Sequence, residues 1–295
     1  MNRGILLTLS AYIFWGLHPI YWKLLKYVPS SQIVSHRIIW SFIFFTIIIF
    51  SRKEWSRLVK KIRENKNKAI LYVPAFLIGS NWAVYIWAVN AGFIIETSLG
   101  YYICPLVSVF LGVIFLNESL RRMQWLAVII AGTGVLVMTI LYGQFPWISL
   151  YLAATWGTYG LLRKKSPLSS VEGLLLETTL LSLPALFYLT YVGVNNHSMF
   201  TLDIQTALLL IGTGITSGLP LLVFIAGARM INLSLVGILQ YIYPTLIFMV
   251  GVFIYNEQLT EAKVIGLIFI WAALIIYSID TSLFLKRKRL AVNAD

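Results

Sequence analysis

The chain has 295 residues, 59% of them hydrophobic and only 12% charged, with a mean hydropathy of +0.83. A water-borne globular domain of that length has no core large enough to hide so much apolar surface, so the composition points to a polytopic membrane protein. The formal net charge of +12 does not indicate nucleic acid, because the cations sit in short stretches between apolar runs, where they orient a membrane protein.

Ten apolar runs follow one another at about 5–25, 32–50, 69–90, 96–116, 123–141, 145–162, 171–192, 205–228, 235–255 and 262–283. Each is close to the ~20 residues that a helix needs to cross a bilayer. The first opens like a signal peptide, with Arg3 ahead of a greasy stretch. Its apolar character continues to Leu25 with no small-residue cleavage site, so it reads as a span. It carries Trp15, His18 and Trp22 at helical spacing, beside Gly16 and Pro19. At mid-span depth such aromatics wall a cavity more readily than they mark an interface.

The second run holds His36 and Arg37, and ionisable groups at membrane depth are functional candidates by default. Arg37 also has two plainer readings, snorkelling to the interface or pairing with an acid such as Glu96, and the plainer reading of His36 is a merely hydrogen-bonded side chain. The basic stretch 51–68 has Trp55, Leu58 and Ile62 at helical spacing. A solvated loop that fixes topology is the preferred reading, ahead of an amphipathic helix lying on anionic lipid.

The third run offers Asn81, Trp82 and Tyr85, and the fourth places Ser98, Tyr101, Pro105, Ser108 and Gly112 on one small or polar face. After it comes Glu118, expected to cap the next helix. The sixth run supplies Trp156 and Tyr159. The seventh contains Glu177, either a proton carrier or the neutraliser of Arg163 or Lys164. In the eighth, GTGITSGLP (212–220) is rich in residues that weaken a helix. It is expected to kink or partly unwind beside the substrate path, with tight small-residue packing the equal alternative. The ninth has Gln240, Tyr241 and Pro244. Pro105, Pro220 and Pro244 are the expected helix breaks.

The chain is a duplication. At a constant offset of 139, Pro105 answers to Pro244, Gly112 to Gly251, Glu118 to Glu257, Ser98 to Gly237, Tyr101 to Gln240 and Asn81 to Pro220. Trp15-Gly16 recurs as Trp156-Gly157, 141 residues on, which sets His18 against Tyr159. The expected division is a first five-helix repeat over 1–143, a second over 144–285 and a basic tail over 286–295. With both termini inside, nineteen Lys and Arg fall on the inner side and four, Lys23, Lys26, Arg37 and Lys263, on the other. Five helices per repeat then force the halves into opposite orientations, a construction shared by many secondary transporters.

The stretches AYIFWGLHPIYWK (11–23), SHRIIWS (35–41), NWAVYIWAVN (81–90), ETSLGYYICPL (96–106), QWLAV (124–128), YGLLRKK (159–165) and LQYIYPT (239–245) resemble the RarD-type permeases. These belong to the EamA branch of the drug/metabolite transporter superfamily. The resemblance runs over nearly the whole chain. It implies a ten-helix transporter of the bacterial inner membrane with both termini cytoplasmic. Cys104 is a departure, standing where Asn is expected before the proline.

No HExxH, GxxxxGK[ST], CxxC or GxSxG occurs, which leaves ATP-driven pumping, metal hydrolysis and nucleophilic catalysis without a motif. The single Cys104 allows no internal disulfide, and His18, His36 and His197 are too scattered for a metal cage. The expectation is therefore an all-α, ten-span protein of two inverted repeats that is not an enzyme and needs no cofactor. It moves small amphipathic organic solutes, such as amino acids, metabolites or drugs, by alternating access, as exporter or facilitator. The substrate is expected to stack on Trp15, Trp82, Tyr101 and Trp156, with Asn81, Ser98 and Gln240 orienting its polar groups and His18, Tyr85, Tyr159 and Tyr241 completing the lining. His36, Arg37 and Glu177 are the candidates for ion or proton coupling or gating. Its partners are the bilayer, the solute and, as a candidate, protons. The other reading is a non-transporting membrane sensor or partner subunit, and the oligomeric state stays open.

Overall fold

A computed structural model describes residues 3–255 and 261–292. Its helices are α1 (Arg3–Leu24), α2 (Ser30–Ser51), α3 (Trp55–Glu64), α4 (Ala69–Asn90), α5 (Ile94–Leu116), α6 (Arg122–Tyr142), α7 (Trp147–Lys165), α8 (Ser170–Val194), α9 (Ile204–Ala228), α10 (Leu233–Gln240), α11 (Ile242–Met249) and α12 (Glu261–Val292). A 3-10 turn, Met199–Thr201, precedes α9, and a π-helical turn, Val250–Ile254, follows α11. No strand occurs among the described residues. In hydrocarbon this follows directly, since an α-helix satisfies its own backbone polar groups.

Nine segments among the described residues are long and apolar enough to cross a membrane, the α10–α11 segment through Ile254 counting as one. The exception among the long helices is α7, whose 19 residues end on Arg163, Lys164 and Lys165. The outside of the bundle is greasy: Phe187 is 80% exposed, Phe253 78% and Phe76 72%. An apolar belt of that extent belongs in lipid.

Helices of the first half pack chiefly on helices of the second. α6 lies on α12, α2 on α8 and α5 on α10, while α5 on α7 mirrors α1 on α11. Likewise α2 on α9 mirrors α4 on α8, and α1 on α9 mirrors α4 on α7. Exchanging each helix for its echo returns the same set of pairs, the arrangement of a pseudo-twofold axis through the bundle.

Local signals end the helices. Asn117 (φ 52°) follows α5 and Gly143 (φ 76°) follows α6, both in the left-handed region. Ser169 and Glu172 form a reciprocal capping box at α8, and Asp203 accepts the Thr206 amide (2.7 Å) at α9.

Four expectations change. The 51–68 stretch contains a helix, α3, rather than only a solvated loop. Leu58 (3% exposed) and Ile62 join the core, and Lys61 meets Glu172 at 2.7 Å. The 212–220 stretch is unbroken helix within α9. Its small residues serve packing: a Cβ on Gly214 would stand 2.4 Å from the Trp40 side chain and 2.5 Å from its backbone. α5 likewise runs unbroken through Pro105, whereas the ninth run does break, at Tyr241. Pro244 cannot donate to the Gln240 carbonyl, so the ladder opens one turn earlier. Finally, α12 continues past residue 285 into the stretch expected to be a tail.

Candidate functional site between the halves

Where α1, α7 and α9 cross, an aromatic cluster fills the centre. Trp15 and Trp156, echoes of each other, meet edge to face at 5.5 Å between ring centroids. Phe224 closes the triangle at 5.4 Å from Trp15 and 5.5 Å from Trp156. Tyr12 lies 5.7 Å from Phe224, and Tyr159 lies 5.9 Å from Trp156. Such tilted and edge contacts are the favourable geometries for aromatic pairs.

A second group gathers where α2, α4, α5 and α11 converge. The Arg37 guanidinium lies 3.9 Å over the Trp82 ring. Its charge interacts with the Tyr85 and Tyr101 hydroxyls, and its Nε is enclosed with no hydrogen-bond partner. Tyr85 and Tyr101 are 6.1 Å apart, and Tyr101 meets Tyr243 edge-on at 4.9 Å. On the other side of the axis the equivalent pair is Cys104 and Gln240, both buried, with the Gln240 side chain beside the thiol. Gln240 Oε1 has no hydrogen-bond partner.

Other expected site residues are committed to the frame. His18 Nε2 donates to the Thr216 carbonyl at 2.7 Å, which assigns the hydrogen to that nitrogen. The carbonyl is free because Pro220, four residues on, has no N–H to give it. Asn81 donates to the Leu152 carbonyl (2.9 Å) and to Thr155 Oγ1 (2.8 Å), joining α4 to α7. Tyr241, fully buried, donates to the Tyr102 carbonyl at 3.3 Å. Tyr159, also fully buried, donates to Glu177 Oε2 at 2.9 Å. The lining positions expected for Tyr159 and Tyr241 are thus inside the packing, because both rings sit at helix crossings. Ser98 is half-buried on α5.

Glu177 forms an ion pair with Arg163 at 3.3 Å, and Arg163 also donates to the carbonyls of Ser169 and Ser170. Gly173 gives the guanidinium its room, since a Cβ there would overlap it. His36 stacks on Phe200 at 5.0 Å, apart from the Arg37 group. The pairing of Arg37 with Glu96 does not form. Glu96 instead accepts the Tyr142 hydroxyl (2.8 Å) and the Ile148 amide at the start of α7 (3.1 Å).

At the basic end, charged side chains hold backbone and one another, some across the halves (Glu118, Lys165, Arg121) and some within the second half (Lys164, Arg229). Glu118 does not cap the helix after it: it accepts the Leu233 and Ser234 amides (2.6 and 2.8 Å) and the Ser234 hydroxyl (2.5 Å), capping α10. Lys164 donates to the Ala228 and Ile231 carbonyls, Arg229 to Leu168, and Lys165 to Phe115. Arg121 bridges to Asp280 at 2.5 Å. Glu257, the echo of Glu118, lies outside the described residues.

Tyr12, Phe224 and Tyr243 are the central residues that the sequence reading missed. Two were within reach of the repeat, because the offset of 139 carries Tyr85 onto Phe224 and Cys104 onto Tyr243. Tyr12 echoes Ala153 and carried no such signal.

The family model described as the EamA-like transporter family matches residues 2–140 and 146–279. Protein RarD of Escherichia coli is 44% identical over 280 residues, covering 95% of each chain. An uncharacterized transporter, YojE, of Bacillus subtilis is 43% identical over 280 residues, covering 94% of each. The chloramphenicol-sensitive protein RarD of Pseudomonas aeruginosa is 30% identical over 291 residues, covering 97% of each. A crystal structure 16% identical in sequence superposes with a TM-score of 0.70 over 95% of this chain and 97% of that one, a likeness of fold. The chain is a multi-pass membrane protein of the EamA-like transporter family, similar to the RarD proteins within it.

Proposed function

We propose that the protein is an alternating-access carrier of small organic solutes, with its site at the junction of α1, α2, α4, α5 and α9–α11. The observation that carries this reading is the conjunction of two features. The halves meet across a pseudo-twofold arrangement, and polar groups without partners, Arg37 Nε and Gln240 Oε1, flank that axis among aromatic rings. Matched halves supply two equivalent ways of packing, one open to each side.

We place the basic end and both termini in the cytoplasm of a bacterium, in the inner membrane, and count α7 as a span, which makes ten. The positive-inside rule supports that orientation, and the bacterial relatives support the setting. The cross-half bonds of Glu118, Lys165 and Arg121 support closure at the basic end. Engagement of Glu177 by Arg163 and Tyr159 supports a structural role for that acid and favours exchange or facilitation over proton antiport.

The test is counterflow in proteoliposomes with labelled amino acids and amphipathic metabolites, with and without a pH gradient. The reading expects exchange of at least one solute, lost in Trp82→Ala and Gln240→Ala, and insensitive to the gradient. No exchange of any solute by folded protein overturns it in favour of a non-transporting membrane component.

A further inference from the structure

Two arginines lie deep in this bundle, and the protein treats them differently. Arg163 is a structural cation, with an acid at 3.3 Å, two backbone carbonyls as acceptors and a glycine cradle. Arg37 sits about 10 Å along α2 from its first residue, at 1.5 Å rise per residue. Its guanidinium keeps its charge in a protein and is costly in an apolar setting unless compensated. The acids of the described side chains that lie away from the exposed ends are spent elsewhere. Glu96 binds Tyr142 and Ile148, Asp203 caps α9, and Glu118, Glu172, Glu177 and Asp280 bind partners at the basic end.

The Trp82 face supports the cation from one side, and the enclosed Nε–H of the fork has no acceptor. Around it stand the hydroxyls of Tyr85 and Tyr101, with the Tyr243 ring beyond. A planar fork of donors next to phenol hydroxyls and apolar rings matches a carboxylate attached to an apolar body. One guanidinium balances one negative charge, whereas a phosphate dianion would bring a second charge that no described cation at this group meets.

We propose that Arg37 is the anion anchor of the transport site, and that the solute class is small organic monocarboxylates whose apolar part lies against Tyr85, Tyr101 and Tyr243. This inference rests on the carrier reading above, and its test separates the two. Binding to purified protein and counterflow are both measured with phenylacetate and 4-methylpentanoate, each against its own neutral amide, and with phenyl phosphate as a further arm. The expected result is a preference for each acid over its amide of about 10-fold or more, the worth of one charge-assisted hydrogen bond. Arg37→Gln removes the preference, and Arg37→Lys, which keeps the charge but loses the fork, retains part of it.

Equal binding of acid and amide by the wild type overturns the inference, and if neutral solutes still exchange, the carrier reading survives. Preference for phenyl phosphate overturns the carboxylate assignment. Arg37-dependent binding of the acids without exchange of any solute supports the anchor and overturns the carrier reading. Should Arg37→Gln fail to fold, Arg37→Lys decides: a preference identical to wild type would overturn the role of the fork.

Discussion

The two arginine sites define two kinds of region. At the basic end, charges are paired or bonded to backbone, and several of the bonds cross from one half to the other: Glu118 to α10, Lys61 to Glu172, Lys165 to the Phe115 carbonyl and Arg121 to Asp280. In the middle, rings touch rings and the polar atoms of Arg37 and Gln240 are left unmatched. The contrast teaches where conformational specificity resides. A network of paired charges fixes one arrangement, whereas a set of aromatic contacts around a cation with no acid beside it tolerates rearrangement and receives a solute.

The largest effect is expected from breaking the side of paired charges. Glu177→Leu leaves Arg163 buried without its counter-charge, which should cost about 3 kcal/mol or more of stability. Thermal unfolding in detergent should show a large fall in Tm, and Glu177→Leu combined with Arg163→Leu should recover most of it. A single variant as stable as wild type would show that the pair does not hold this end. Next in size is crowding at a helix crossing. Gly214→Ala sets a methyl against Trp40 where the gap is 2.4 Å, and overpacking of this kind costs about 1–3 kcal/mol by the same measurement.

Glu118→Gln tests the gate rather than the frame. It weakens the cap on α10 by about 1 kcal/mol. In Glu118→Gln, Ser234→Cys should react faster with a maleimide applied from the basic side than the same cysteine beside an intact Glu118. An unchanged rate would mean that Glu118 does not help to close that end. The smallest effect sharpens the central side. His18→Ala should cost about 1 kcal/mol by orphaning the Thr216 carbonyl, and Pro220→Ala, which restores an N–H within α9, should make His18→Ala nearly neutral. An additive double variant would refute the coupling between His18 and Pro220.

Much of this was legible in the sequence. The apolar runs set the span limits within a few residues, because bilayer thickness dictates their length. The repeat, at an offset of 141, paired Trp15 with Trp156, and these two meet at the axis. What local reading missed depended on the other half of the chain. The 212–220 stretch looks weak by propensity, yet Trp40, Ser41 and Phe45 of α2 pack into its small residues and hold it helical. Glu118 looks like a cap for the helix that follows, but α10 brings its own bare amides closer. The fate of Arg37 turned on Glu96 being taken by Tyr142 and the start of α7, which no spacing in the sequence reveals.

Access from alternate sides is the central claim, and the chain offers a clean way to measure it because Cys104 is its single cysteine and is buried. In a Cys104→Ser background, Ser98→Cys on α5 is exposed to a membrane-impermeant maleimide in right-side-out and in inverted vesicles. The account predicts labelling from the side opposite the basic end, with labelling from the basic side emerging only when a transported solute is added. Labelling from both sides at once, or from neither side with or without solute, would contradict it.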